Sequence, residues 1–166
     1  MTAAEQRLEH LATTVGPDVL AYLARRVDPR EDAADVYQQV LTITWRKLRA
    51  VPADDQEAFA WMLGVARRCL ANHRRAGVRR SALADRVRDD LRVAVRAPDP
   101  AVAARANQLL AKLSEDDREL VTLVHWEGLT LAAAAGVLGI SAAAARKRME
   151  RLRRTLQAGT PAASPA

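Results

Sequence analysis

The chain has 166 residues, a formal charge of +6 from 26 basic and 20 acidic side chains, and one cysteine. That length supports one ordinary domain or two small helical ones, each with a thin core, and the basic balance favours a polyanionic partner without specifying a fold. The lone Cys69 excludes an internal disulfide framework, no apolar run reaches the length of a membrane span, and Met1 to His10 lacks a signal-peptide pattern, so a soluble cytoplasmic protein is expected.

Nearly every periodic segment repeats at helical spacing, which predicts an all-α protein. Val19, Leu20, Leu23 and Val27 define a helix closed by Asp28-Pro29. Val36, Val40 and Ile43, beside Leu41, Trp45 and Leu48, define a second with a wide apolar face. Asp54 and Glu57 form a capping box for a third that carries Phe59, Met62, Leu63, Ala66 and Leu70. After Arg75 the pattern weakens. Arg79 to Arg96 mixes charge with scattered Leu and Val, and Ala97-Pro98-Asp99-Pro100 is a break. This stretch reads as a mobile linker with a marginal helix around Leu83 to Leu91. Val102, Leu109 and Leu113 then mark a helix, and Ser114 and Asp117 cap another that runs to about Trp126. The expected units are 12–76 and 101–158, joined by a linker at 77–100.

The last segment, Glu127 to Leu156, reads as a helix-turn-helix. Thr130 caps its first helix, Gly139 supplies the turn and Ser141 caps the second. Ala135, four residues before Gly139, provides the small side chain that two crossing helices need. Ala145, Met149, Leu152 and Leu156 form the buried stripe of the second helix. Arg146, Lys147, Arg148, Arg151, Arg153 and Arg154 stay outward against the single acid Glu150, a charge pattern suited to a DNA major groove. Arg146, Lys147, Glu150 and Arg151 are expected to face base edges; Arg153 and Arg154, farther along, are expected to meet phosphates.

Charge is also segregated in the first unit. Asp32 and Asp35 open its second helix, while Arg67, Arg68, Arg74 and Arg75 crowd the end of the third. The helix dipole accounts for acids at a helix start but less well for so many arginines in so short a stretch.

Taken together, these segments resemble the small two-domain sigma factors of bacterial RNA polymerase, the extracytoplasmic-function (ECF) group of the sigma-70 superfamily. Asp32-Ala33-Ala34-Asp35-Val36-Tyr37-Gln38-Gln39 is similar to the family's region 2.2. Phe59-Ala60-Trp61-Met62-Leu63, continuing through Ala66-Arg67 to Arg74-Arg75, is similar to regions 2.3 and 2.4. Leu113-Ser114-Glu115-Asp116-Asp117-Arg118-Glu119, then Glu127-Gly128-Leu129 and Leu138-Gly139-Ile140-Ser141, are similar to region 4. The resemblance implies two small helical domains whose partners are core RNA polymerase (its β′ and β subunits) and promoter DNA, with an anti-sigma factor as an optional further partner. It implies polymerase contact through Asp32, Asp35, Gln38 and Gln39, and contact with the −10 promoter element through Trp61, Arg67, Arg68, Asn72, Arg74 and Arg75. The loop around Arg49 to Asp55 corresponds to the one that receives an extruded base. Ser141, Arg146, Lys147, Arg148, Glu150, Arg151 and Arg154 correspond to the side that meets the −35 element. Arginine suits such contacts because its guanidinium is always charged and bonds bidentately. Trp61 is a candidate to stack on an unpaired base, although its spacing with Phe59, Met62 and Leu63 also fits a core residue.

The sequence departs from the family pattern at a few positions. Gln39 stands where the family often has Glu. Ala134 replaces a larger apolar residue, so either Leu131 or Trp126 is expected to fill that space or the second unit is only marginally stable. Ala142, Ala143 and Ala144 open the recognition helix without a hydroxyl beyond Ser141. No nucleophile–base pairing or glycine-rich phosphate loop is present, so no catalysis is expected. Cys69 and His73 share a helix face, but two ligands do not make a structural metal site, and no cofactor is expected. Two other readings fit the pattern less fully: a helix-turn-helix regulator that works without core polymerase, and a degenerate protein that binds polymerase or an anti-sigma factor without reading DNA.

Overall fold

A computed structural model describes the backbone of residues 1–81 and 108–158 and the side chains of 1–77 and 108–155. The chain divides into two compact units, Met1–Ala94 and Val95–Ala166. Every regular element among the described residues is helical, and no described helix is long and apolar enough to cross a membrane.

The first unit opens with a helix that the periodicity did not predict, α1 (Ala3–His10). Its start is a reciprocal capping box. Glu5 N–H donates to Thr2 Oγ1 at 3.2 Å, and Thr2 N–H donates to Glu5 Oε2 at 2.6 Å. One π-helical turn, Leu11–Val15, carries the chain into α2 (Gly16–Ala24). The helix expected to reach Val27 ends at the cap residue Arg25, yet Val27 is still buried. A 3-10 turn, Arg30–Asp32, leads to α3 (Ala33–Arg46), and a second, Leu48–Ala50, closes it. Leu48 therefore belongs to the turn, not to the helix. Then α4 runs from Asp55 to Ser81, into the stretch read from the sequence as the start of a linker.

The core of this unit joins α2, α3 and α4. Val19, Tyr22 and Leu23 meet Val36 and Val40 and the buried row Phe59, Met62, Leu63, Ala66 and Leu70. All five apolar positions expected on α4 are inside. Buried Thr44 satisfies its hydroxyl by donating to Val40 O at 2.8 Å. Gly16 sits against the hydroxyl end of Tyr37: a Cβ there would collide with the phenol oxygen. Burial in turn pushes the Tyr37 hydroxyl above its ordinary pKa. Leu20 and Trp45, expected on apolar faces, keep 37% and 45% of their surface exposed.

In the second unit residues 108–111 are helical, followed by α5 (Glu115–His125), α6 (Leu131–Leu138) and α7 (Ala142–Ala158). Ser114 caps α5, accepting from Asp117 N–H at 3.2 Å. Leu120, Leu123, Leu129, Leu138, Ala134, Ala135, Ala145 and Leu152 form the core. Ala134 is fully buried, Leu131 is half-buried and Trp126 keeps 37% of its surface in solvent. The rest of the predicted linker, its marginal helix around Leu83 to Leu91, the Val102 end of the following helix and the Leu156 side chain lie outside the described residues.

Candidate nucleic-acid interface

The helix-turn-helix is built by local chemistry. Thr130 Oγ1 accepts from Ala133 N–H at 3.1 Å and Ser141 Oγ from Ala144 N–H at 3.1 Å. Between them Gly139 takes the left-handed conformation, φ 69°. Its N–H donates to Gly136 O, and that of Ile140 donates to Ala135 O. This pair of bonds is the Schellman closure, which needs a residue without a Cβ at the turn. Ala135 and Ala145 are both buried, so α6 and α7 cross on small side chains.

On α7 the buried side carries Ala145 and Leu152, with Met149 and Arg148 half-buried beside them. At about 3.6 residues per turn, Lys147 and Arg154 point away from that side, with Arg146, Glu150 and Arg151 flanking them. The cations there are not equivalent. Arg151 Nη2 lies 3.1 and 3.0 Å from the two carboxylate oxygens of Asp117 on α5. Arg148 approaches the same carboxylate at 3.8 Å. Arg154 Nε donates to Glu150 at 3.1 Å, and Arg153 lies 4.0 Å from it. Arg146 and Lys147 are exposed, and neither side chain has a hydrogen bond or ion pair among the described residues. Arg151, expected to read bases, is thus held against its own unit.

In the first unit, α3, the 3-10 turn after it and α4 enclose a cleft of about 350 Å³. Its lining includes Ile43, Lys47 and Ala50 from one side and Trp61, Val65, Arg68, Cys69 and Asn72 from the other. Trp61, Arg68 and Asn72 are about two and three turns apart on α4 and therefore share a face. Arg75 lies one turn beyond and donates to Asn72 Oδ1 at 2.6 Å. Arg67 and Arg74 fall on another face of the same helix. Of the six side chains expected to contact the −10 element, three line the cleft and a fourth is bonded to its rim. Trp61 is half-buried, its indole forming part of the wall as well as the packing. Lys47 and Arg68 are exposed cations without a side-chain partner among the described residues. Lys47 was missed by sequence reasoning, and Ala50 entered it only as part of the loop around Arg49 to Asp55 that the resemblance gave to an extruded base. Nothing in their local pattern announces that the turn after α3 faces α4.

Asp35, Gln38 and Gln39 are exposed together on α3, at the spacing that places side chains on one face. Asp32 is set apart from them. It is half-buried, with Oδ2 3.3 Å from Nε2 of His73 on α4. Cys69 is buried, which pushes its thiol pKa up. Among the described residues no group of three or more potential metal ligands gathers.

Comparison with known proteins follows the same division. Residues 11–80 match the Sigma-70 region 2 family and residues 104–156 match Sigma-70, region 4. The chain is 35% identical over 148 residues to the ECF RNA polymerase sigma factor SigF of Caulobacter vibrioides (strain NA1000 / CB15N), covering 86% of this chain and 79% of that one. Its fold is similar to the sigma factor RpoE solved in complex with the anti-sigma factor NepR from Bartonella quintana. The TM-score is 0.65 at 22% identity, over 90% of this chain and 93% of that one. It is also similar to CnrH solved in complex with the cytosolic domain of CnrY, with a TM-score of 0.56 at 23% identity over 95% and 96% of the two chains. A region 2 unit, a region 4 helix-turn-helix and a relative matched over most of its length at this identity place the chain in the extracytoplasmic-function group of sigma-70 factors, the subunits that direct RNA polymerase to promoters.

Proposed function

We propose that the first unit captures an unpaired base of the −10 element in the cleft between α3 and α4, while α7 of the second unit enters the major groove of the −35 element. The observation that carries this reading is the cleft itself. An indole, an amide and two cations without protein partners surround a space at the low end of the roughly 300–1,000 Å³ range of small-molecule sites. Stacking on Trp61 suits any base, Asn72 offers hydrogen bonds to its edge, and Lys47 and Arg68 suit the flanking phosphates. On α7 the base-reading role falls first to Arg146 and Lys147, which have no protein partner to give up.

The exposed face Asp35-Gln38-Gln39 is the proposed polymerase contact, directed at the coiled coil of the β′ subunit. Its neighbour Asp32, paired with His73, braces α3 against α4 rather than joining that face. An anti-sigma factor is a further proposed partner. The complex in which the Bartonella quintana protein was solved and the partly exposed Leu20, Trp45 and Trp126 support it. The protein catalyses no reaction of its own in this reading and acts in the cytoplasm, where polymerase and chromosome are.

Reconstitution tests the assignment. Core polymerase supplied with the protein is expected to initiate from a discrete set of promoters in a genomic library. Asp35→Lys is expected to weaken polymerase binding about tenfold, the scale of a lost charged contact with a repulsion added, and to leave helical content intact. Unchanged affinity in a pull-down would remove this face from the polymerase contact.

A further inference from the structure

The match to Sigma-70 region 2 begins at residue 11, so α1 lies ahead of it. No residue of α1 is fully buried, and the helix therefore contributes little to the core. Two of its side chains nevertheless reach the loop between α3 and α4. Arg7 Nη2 donates to the carbonyl oxygens of Pro52 and Ala53, both at 2.9 Å. Its Nη1 lies 3.4 Å from Asp55 Oδ1. One turn later on the same helix face, His10 Nε2 lies 2.9 Å from Asp55 Oδ2.

These contacts grip the two residues, Pro52 and Ala53, that lie between the turn after α3 and the Asp54 cap of α4. Pro52 has no N–H to donate; upstream Val51 N–H donates to Leu48 O, and downstream Asp54 caps α4, its Oδ1 accepting from Glu57 N–H at 3.0 Å and its carbonyl from Ala58 N–H at 2.8 Å. The carbonyls of two consecutive residues converge on one guanidinium nitrogen, Nη2, while the other arm of the planar fork, Nη1, is turned to Asp55. Just upstream of the gripped carbonyls are Lys47 and Ala50, which line the cleft opposite Trp61.

We propose that Arg7 is a positioning residue for promoter opening, fixing the loop Val51–Asp54 and with it the Lys47–Ala50 wall of the cleft in the shape that takes an unpaired base. His10 braces the arrangement through Asp55. The inference rests on the cleft being the base-receiving site. A loop that visits the competent shape only part of the time lowers apparent affinity by that fraction. The energy of base capture is what opposes re-pairing of the strands, so a loosened loop slows opening of a closed duplex and matters less where the strands are already apart.

The test uses holoenzyme assembled from core polymerase and the full chain. Unpaired thymines are detected with permanganate on a duplex promoter and on the same promoter carrying a premelted −10 bubble. Arg7→Ala is expected to reduce opening of the duplex about tenfold, as a loop competent one-tenth of the time would. The bubble template should restore most of the loss, with polymerase affinity and helical content unchanged. Arg7→Lys should fall between, because an ammonium keeps the charge but not the fork. Asp55→Asn, which removes only the carboxylate leg, should show a smaller loss in the same direction. Duplex opening at the parental rate in Arg7→Ala, or an equal loss on both templates, overturns the assignment. Arg68→Ala, on the exposed rim of the cleft, separates the two levels of the argument. If it is defective while Arg7→Ala is normal, only the positioning role falls. If it too opens the duplex like the parent, the base-receiving reading falls and takes the positioning role with it.

Discussion

In the first unit the uncommitted cations Lys47 and Arg68 stand around a concavity that contains an indole; in the second, Arg146 and Lys147 stand on the convex front of a helix. The packing beneath differs in the same sense. Tyr22, Leu11, Leu23, Met62 and Leu63 fill the first core, whereas Ala134, Ala135 and Ala145 let the helices of the second cross closely. Large side chains hold helices far enough apart to leave a cleft between them. Small ones bring helices together and leave the long cations of α7, Arg148 apart, on the outside. A base out of its stack needs a concave site with a flat apolar wall, and an intact duplex needs a narrow protruding helix. Similar residue types thus serve two kinds of nucleic-acid contact because the cores beneath them differ.

The largest expected effect breaks this comparison at its base. Removing a buried leucine side chain costs about 2 to 5 kcal/mol. Folded domains carry only about 0.05 to 0.15 kcal/mol of stability per residue, so the smaller unit has less to lose. Leu123→Ala, at the centre of α5, is expected to unfold the second unit at room temperature. Leu63→Ala is expected to leave the first unit folded with a lower melting temperature. Hydrogen exchange resolved by peptide follows each unit separately. Equal protection of the two units in the two variants would show that the alanine crossings are as robust as the large-residue core.

A smaller effect, about 1 to 3 kcal/mol for a bidentate base contact, distinguishes the cations of α7 from one another. Arg146→Ala is expected to change the preferred −35 sequence. Arg151→Ala is expected to change it little, because Asp117 already holds that guanidinium. Arg154→Ala should weaken all promoters alike and flatten the salt dependence. Asp117→Asn sharpens the point by releasing Arg151 and loosening Arg148, which keeps Asp116 at 4.0 Å. General DNA affinity should rise and the salt dependence steepen, while sequence preference declines. Selection on a randomised −35 element at two salt concentrations reads all four variants. A changed consensus for Arg151→Ala would mean that the Asp117 pair gives way when DNA arrives.

The parts of this molecule that were legible in the sequence are those written in short-range chemistry. Thr130, Gly139 and Ser141 shape the helix-turn-helix through bonds spanning three to five residues, so a reader of the chain meets the whole motif at once. The apolar row on α4 was legible because helical periodicity is itself local. Long-range pairings were not. Arg151 and Asp117 are 34 residues apart, and Arg7 and Pro52 are 45 apart. No spacing rule links them, and its place off the buried stripe, together with its charge, made Arg151 look available. The cleft was half legible: Trp61, Arg68 and Asn72 follow from one helix face and Ala50 from the loop the resemblance named, whereas Lys47 depends on how the turn after α3 folds back. The first helix was missed for a different reason. Its apolar content is low, and its one local mark, the Thr2–Glu5 capping box, precedes no apolar stripe.

The smallest effect concerns the acid side of the first unit. The hydrogen bond from His10, reinforced by its charge and by Arg7, holds the Asp55 carboxyl below its ordinary pKa. A group whose pKa is lower folded than unfolded binds fewer protons in the folded state, so stability rises with pH through the interval between the two values. The contribution of Asp55 is therefore present above the ordinary carboxylate value and is lost as pH falls through the lowered one. Asp55→Asn keeps the side chain's size and removes the titration. Parent and variant should differ most at neutral pH and converge in urea melts taken from about pH 6 down to about pH 3, across the ordinary carboxylate range. The difference should be confined to the first unit, since the latch joins α1 to the start of α4 and reaches no part of the helix-turn-helix. Because the carboxylate is exposed to solvent, added salt should narrow the gap as well. A gap that stays constant across the whole pH range would mean that Asp55 acts through shape and hydrogen bonding alone, leaving the grip on the loop to Arg7 and the two carbonyls.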